Sequence, residues 1–176
     1  MQFRLYALII FLLFSTIGCY ATITGTVVDS ETGEPIEGAV VLVEWTKTHG
    51  FGLTYTESYK VIEAFTDKEG KVTISGFFNP TINPPQVTVY KKGYVAWNNE
   101  YIFPDYRHRE DFKYKDRMTI KMERFKEVYS YDKHIDFIRL CINSTLNLEA
   151  KKKIFEVFEW ERDLALQERL KKMPKP

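Results

Sequence analysis

From Ile23 onward the apolar residues of this chain recur at every second position, in short runs that stop at clusters of Gly, Pro, Asp and Asn. A period of two puts alternate side chains on opposite faces of an extended backbone, so these runs are expected to be strands. In the first, Ile23, Gly25 and Val27 share one face and Thr24, Thr26 and Val28 the other, and Asp29 to Pro35 then supplies turn residues. Ala39 to Trp45 is apolar on nearly both faces. Its outer side should therefore be covered, with C-terminal helices as the obvious cover. Further strands are expected at Lys60 to Thr66, at Lys71 to Ser75 after the turn Asp67-Lys68-Glu69-Gly70, at Gln86 to Lys91, at Tyr94 to Phe103, and through Met118, Ile120 and Met122. Seven short strands without helices between them predict a mainly β fold, an antiparallel sandwich rather than a parallel α/β sheet.

Three stretches carry a resemblance. The run Ile23-Thr-Gly-Thr-Val-Val-Asp-Ser-Glu-Thr-Gly-Glu-Pro-Ile-Glu-Gly-Ala-Val-Val41 looks like the opening of the carboxypeptidase regulatory-like family. Ala64-Phe-Thr-Asp-Lys-Glu-Gly-Lys-Val-Thr-Ile74 and Val87-Thr-Val-Tyr-Lys-Lys-Gly-Tyr94 fit the same pattern in the same order. The resemblance covers about residues 21 to 125. It implies a prealbumin-like (transthyretin-like) Greek-key sandwich of the kind that accompanies carboxypeptidases without doing their chemistry. The glycines and prolines of these motifs set turn dihedrals and are folding residues first.

The start of the chain has the layout of a signal peptide. Arg4 supplies a positive charge, Leu5 to Phe14 is an unbroken apolar run, and Ser15 to Cys19 turns small and polar. The run is too short to span a hydrocarbon core of about 30 Å as an ordinary helix. Thr16-Ile17-Gly18-Cys19 resembles the bacterial lipobox, which implies lipid attachment at Cys19 and cleavage before it, although Thr16 stands where lipoboxes usually carry Leu. Ordinary signal cleavage after Ala21 is the alternative, since Cys19-Tyr20-Ala21 also offers small residues at the right spacing. The other cysteine, Cys141, sits in an apolar stretch and reads as a small buried hydrophobe, with a Cys19 to Cys141 disulfide as the second option.

After Phe125 the apolar period lengthens. Ser130 is expected to cap a helix through Ile135, Phe137, Ile138 and Cys141 to about Ile142, and a second helix is expected from Leu148 to Lys172. Lys151-Lys152-Lys153 reads as a solvated face. The division that follows is a lipoprotein-type signal peptide over 1–18, the sandwich over 19–125, and a helical extension packing on it over 126–176.

Charge balance and residue types narrow the function classes. The 25 basic and 24 acidic residues nearly cancel, and no basic stripe is interleaved with aromatics, so nucleic acid is not an expected partner. His49, His108 and His134 have no second His or Cys at ligand spacing, and neither a metal nor another cofactor is expected. Two enzyme groups share a transthyretin-like sandwich. Hydroxyisourate hydrolases end in Tyr-Arg-Gly-Ser, where this chain ends Met-Pro-Lys-Pro, and intradiol dioxygenases use two Tyr and two His for iron, where Tyr106, Arg107 and His108 offer one His. Asp105, His108, Glu110 and Asp111 form a loop cluster that reads as solvated. The aromatic candidates for binding are Trp97, Tyr101 and Tyr106, beside Tyr94 and Phe103, because flat rings stack on sugars or anchor an interface. The loop from Thr46 to Tyr55, with Gly50, Gly52 and two aromatics, is a second candidate. The expectation is a non-catalytic lipoprotein of the outer membrane facing the periplasm, held by its lipid and serving as a structural or protein-interaction module. The alternatives are a secreted chain, a module binding glycan or another small ligand, and, third, an enzyme on this fold.

Overall fold

The computed structural model describes residues 22–76, 79–115, 117–143 and 147–173; Cys19 and the apolar leader lie outside them. Strands β1 (Ile23–Asp29), β4 (Lys71–Ile74) and β9 (Met118–Met122) form one sheet in the order β4-β1-β9. A second sheet, β3-β2-β5-β6, is built from β2 (Val40–His49), β3 (Tyr55–Phe65), β5 (Gln86–Tyr90) and the two-residue β6 (Trp97–Asn98). A small ladder joins β7 (Tyr101–Ile102) to β8 (Arg107–His108). Helices α1 (Tyr131–Cys141) and α2 (Lys152–Lys172) follow, linked by a 3-10 turn over Leu148–Lys151.

The period-two pattern dictates two cores. Val41, Val43 and Trp45 of β2, with Val87 and Val89 of β5, pack against Val27, Val72, Ile74, Ile120 and Met122 of the other sheet. This is the sandwich interior. The alternate residues Val40 and Leu42 of β2 and Tyr90 of β5 face the other way and pack on Phe137, Ile138, Cys141, Ile154 and Phe158 of the helices. The helices therefore make a third layer over β2, as its two apolar faces require. Ser130 caps α1, its hydroxyl accepting the Lys133 N–H at 3.4 Å.

Several sequence expectations need correction. Among the described residues nine strands form where seven were expected, and Thr46 to His49, expected in a loop, pairs with Tyr55 to Ser58 as a β ribbon. The sandwich is not wholly antiparallel, because β1 and β9 pair in parallel from Gly25 with Met118 to Asp29 with Met122. Parallel partners need a long connection between them, and most of the chain lies between β1 and β9. The extended stretch from Tyr94 to Phe103 is broken into β6 and β7. Asn98 Oδ1 accepts the Glu100 and Tyr101 N–H groups at 2.8 and 2.9 Å, a local turn that ends the strand. Finally, Lys151 is fully buried, while its neighbours Lys152 and Lys153 are exposed.

Two turns fix one end of the sandwich. Gly70 has φ of +68°, and a Cβ there would overlap the Val27 carbonyl, so the Asp67–Gly70 turn tolerates no other residue without a shift. Asp29, at the end of β1, is buried with its carboxylate accepting the N–H groups of Glu31 and Thr32 (2.9 and 3.0 Å), the Tyr94 hydroxyl (3.0 Å) and the Arg124 guanidinium (2.6 Å). The Thr32 and Glu31 backbone donors, then Arg124 and Tyr94, hold this carboxyl well below its ordinary value of 3.8. A carboxyl depressed in the folded state stabilises the fold above its unfolded pKa, and that contribution is lost as pH falls from 3.8 toward the folded value. Asp29→Asn is expected to lower stability at neutral pH and flatten its acid decline, read from thermal melts between pH 7 and about pH 2. An acid limb identical to the parent's would show that Asp29 does not carry it.

Candidate functional site

A cleft of about 500 Å³ opens at the Asp29 end of the sandwich. Its floor includes Trp97, Phe103 and Met122, and Arg107, Arg109 and Lys121 stand among its charged walls. The segment that shapes it is held by amide side chains rather than by long ladders. Asn99 Oδ1 accepts the Val87 N–H at 2.6 Å, and Asn98 Nδ2 donates to Thr88 Oγ1 at 3.0 Å. Arg109 then folds back: its guanidinium lies 4.9 Å from the centre of the Trp97 ring, its Nε donates to the Asn98 carbonyl at 2.7 Å, and Asp111 pairs with it at 3.5 Å. Burial pushes the Arg109 pKa down, against the pull of Asp111. The wall is mixed in sign, with Glu31, Asp111 and Glu123 beside the cations. Such a surface suits a charged protein or small polar partner.

The three ring candidates are not displayed together. Trp97 is half-buried at the edge of the sandwich core, with its ring 5.4 Å from Phe112 and Arg109 over its face. Tyr101 belongs to the helix-side core and lies 4.9 Å from the His108 ring. Tyr106 meets Phe137 edge-on at 5.5 Å and donates its hydroxyl hydrogen to the Lys133 carbonyl at 2.7 Å. Of the loop cluster, Asp105 pairs with Arg107 at 3.4 Å and Asp111 with Arg109, and among the described residues no group of three or more His, Cys, Asp or Glu is placed to hold a metal ion.

The most concentrated chemistry is buried between β-sheet and helices. The Ala96 N–H donates to His134 Nε2 at 2.8 Å, which makes Nδ1 the protonated nitrogen, and Nδ1 lies 2.8 Å from Glu161 Oε1. Phe103 and Phe125 stand about 5 Å from the imidazole, Tyr90 and Phe137 at 6.4 Å. Tyr90, its pKa pushed up by burial and by Glu161, accepts the Trp160 indole N–H at 2.8 Å. A His–Glu pair is the stuff of acid–base catalysis, yet both residues are essentially inaccessible and neither lines the cleft. A second buried pair, Lys151 Nζ to Glu44 Oε2 at 2.7 Å, ties the 3-10 turn to β2. The same Nζ donates to the Ile142 and Asn143 carbonyls at 2.7 and 3.1 Å, closing the C-terminal end of α1. Sequence reasoning passed over both pairs. The available signal was Glu44, a charge on the helix-facing side of the otherwise apolar run from Ala39 to Trp45.

Cys141 is free and buried, and burial pushes its thiol well above the ordinary range. It is expected to stay unmodified when the native protein meets a maleimide, and to react once unfolded. Rapid labelling of the native protein would show that α1 opens.

No protein-family model matches the chain, and no curated protein matches it. Solved structures similar to it include a mutant of the shaft pilin spaA from Lactobacillus rhamnosus GG, at 14% identity and TM-score 0.34, over 61% of this chain and 47% of that one. The group B streptococcus pilus 2b backbone protein is similar at 16% identity and TM-score 0.35, over 61% of this chain and 42% of that one. The chain thus spans less than half the length of either pilin. No helix among the described residues is long and apolar enough to cross a membrane.

Proposed function

We propose that the chain is an exported, non-catalytic module tethered to a membrane through a lipid on Cys19, and that its sandwich presents the charged cleft to another protein of the cell envelope. One observation carries this reading: the three histidines and the three candidate rings are each committed to contacts within the fold. His49 pairs with Glu57 at 2.8 Å, His108 lies against Tyr101, and His134 is sealed with Glu161. Trp97, Tyr101 and Tyr106 pack against different neighbours and do not make one stacking platform. The Greek-key, transthyretin-like lineage belongs to the same proposal and is supported by the order of the three motifs between Ile23 and Tyr94. So does the division of the chain into leader, sandwich and helical extension.

The intact mass of protein purified from membranes of its native host tests the tether. A mass beginning at Cys19 with acyl chains added supports it, and a mass beginning at Thr22 without lipid overturns it. Cross-linking in intact cells through Lys121 and Lys126 at the cleft tests the module. A discrete adduct with one envelope protein is expected, lost when both lysines are replaced by glutamine; no adduct from correctly tethered protein overturns the interaction role.

A further inference from the structure

The β2–β3 hairpin runs past the rest of its sheet. The last pairing of β2 with β5 is Glu44 with Gln86, whereas β2 and β3 continue together to His49 with Tyr55. Asn83 props this ribbon, donating from Nδ2 to the Thr46 and Thr48 hydroxyls at 3.0 Å each. At the tip, Gly50 takes φ of +97°, and a Cβ there would overlap the Leu53 carbonyl, so the tight turn depends on glycine. The turn leaves Phe51 and Leu53 entirely in solvent, at 105% and 94% exposure.

The ribbon is graded in polarity along its length. The two apolar side chains come first, then Tyr55 stacked on His49 at 5.1 Å, then the charged Lys47 and Glu57. That order matches the profile of a lipid interface, where apolar groups sit deepest, aromatic rings with polar tips lie at headgroup level, and charges stay in water.

Register places the start of β1 at the same end. Asp29, which closes β1, binds Tyr94 and Arg124 where β2 begins and β5 finishes, since Val40 pairs with Tyr90. Ile23 therefore lies at the opposite end, toward which β2 runs out into the free ribbon. From Trp45 to Phe51 the ribbon advances about 20 Å at 3.3 Å per residue. The four residues from Cys19 to Ile23 reach at most about 14 Å. The tip thus projects farther than Cys19 can reach, so a membrane holding a lipid on Cys19 would meet the tip, with the cleft at the other end of the sandwich.

We infer that Phe51 and Leu53 insert into the lipid interface of the membrane that holds the chain, fixing the tilt of the sandwich above it. The inference rests on the tethered reading given above. One Phe and one Leu are too little apolar surface to recruit a protein from solution, but a tether raises their effective concentration at the bilayer.

The test labels the full-length chain at Leu53→Cys with an environment-sensitive fluorophore, Cys141 remaining protected, and reconstitutes it into phosphatidylethanolamine–phosphatidylglycerol vesicles. The same label at Glu34→Cys, at the far end, serves as control. Expected is a blue shift at position 53, with quenching by lipids carrying a spin label on the acyl chain and little change at position 34. Replacing Phe51 with Ser should reduce the quenching at least severalfold. A water-like spectrum at position 53 overturns the inference, and so does a blue shift without lipid quenching, which would mean that protein covers the tip. Intact mass separates the two readings. Acylated chain with a water-like label removes the tip contact alone. Chain lacking the acyl group removes the tether, and the tip is then judged by adding vesicles to the soluble chain, where an unshifted label removes it too.

Discussion

Replacing Lys151 with Met is expected to cost about 3–5 kcal/mol of folding stability, the usual consequence of leaving one member of a buried ion pair alone. Lys151 Nζ is the cation 2.7 Å from Glu44, and neither side chain has measurable exposure. The substitution leaves an anion on the covered face of β2 and frees the Ile142 and Asn143 carbonyls that Nζ now satisfies. The loss is read as a fall in the urea midpoint at unchanged slope. Pairing it with Glu44→Leu should recover most of the loss, because exchanging both charges for apolar groups is often neutral or better, whereas removing one is not. A single substitution costing under about 1 kcal/mol would mean that water reaches Glu44 once the lysine is gone.

Ending the chain after Phe125 is expected to abolish the cooperative fold rather than release a free sandwich. The helices bury Phe137, Ile138, Ile142, Ile154 and Phe158 against Val40, Leu42 and Tyr90. At about 1.5–3 kcal/mol for each buried apolar side chain, five of them supply on the order of 10 kcal/mol, an upper estimate. That is comparable to the whole stability of an ordinary domain. The Thr88 hydroxyl, which donates to the Cys141 carbonyl at 2.9 Å, and Glu44 would lose their partners as well. Recovery in inclusion bodies, or soluble protein without a thermal transition by circular dichroism, is the expected outcome. A soluble truncated chain with a sharp melt would show the sandwich to be self-sufficient. The full-length Phe158→Ala variant keeps the test graded, with about 3–5 kcal/mol of destabilisation expected.

The strands were legible where alternation and turn chemistry agree. Val27, Val41, Val43, Val87 and Val89 fall on the inner faces that a period of two assigns them, and Gly70 occupies a turn where glycine is obligatory. The parallel partnership of β1 and β9 was not legible, because no local pattern says which distant strand a strand will meet. Asn98 and Asn99 carried a readable signal for the break after Asn98, since adjacent asparagines offer the backbone side-chain partners in place of a ladder. The triple lysine was misread for a different reason. Three consecutive helical residues point in different directions, so one of them turns inward while its neighbours stay wet. At the candidate site, the aromatic residues were visible in sequence, but the use of Trp97 as the seat for Arg109 depended on a fold-back that only the structure reveals.

Glu44 has a second consequence, in the chain before it is finished. Ala39 to Val43 is an uncharged, β-prone run of the sort that pairs with copies of itself when unfolded. Synthesis runs from the N-terminus, so this run exists for some time before Lys151 is made. During that interval a hydrated Glu44 carboxylate is expected to oppose self-association of the exposed run, as a charge flanking a hydrophobic strand does. In the completed protein the same charge is withdrawn into the interior and neutralised. A leucine at this position, matched by an apolar residue at 151, would suit the final fold while leaving the unfinished chain unguarded, so lower yield without lower stability is the signature to look for.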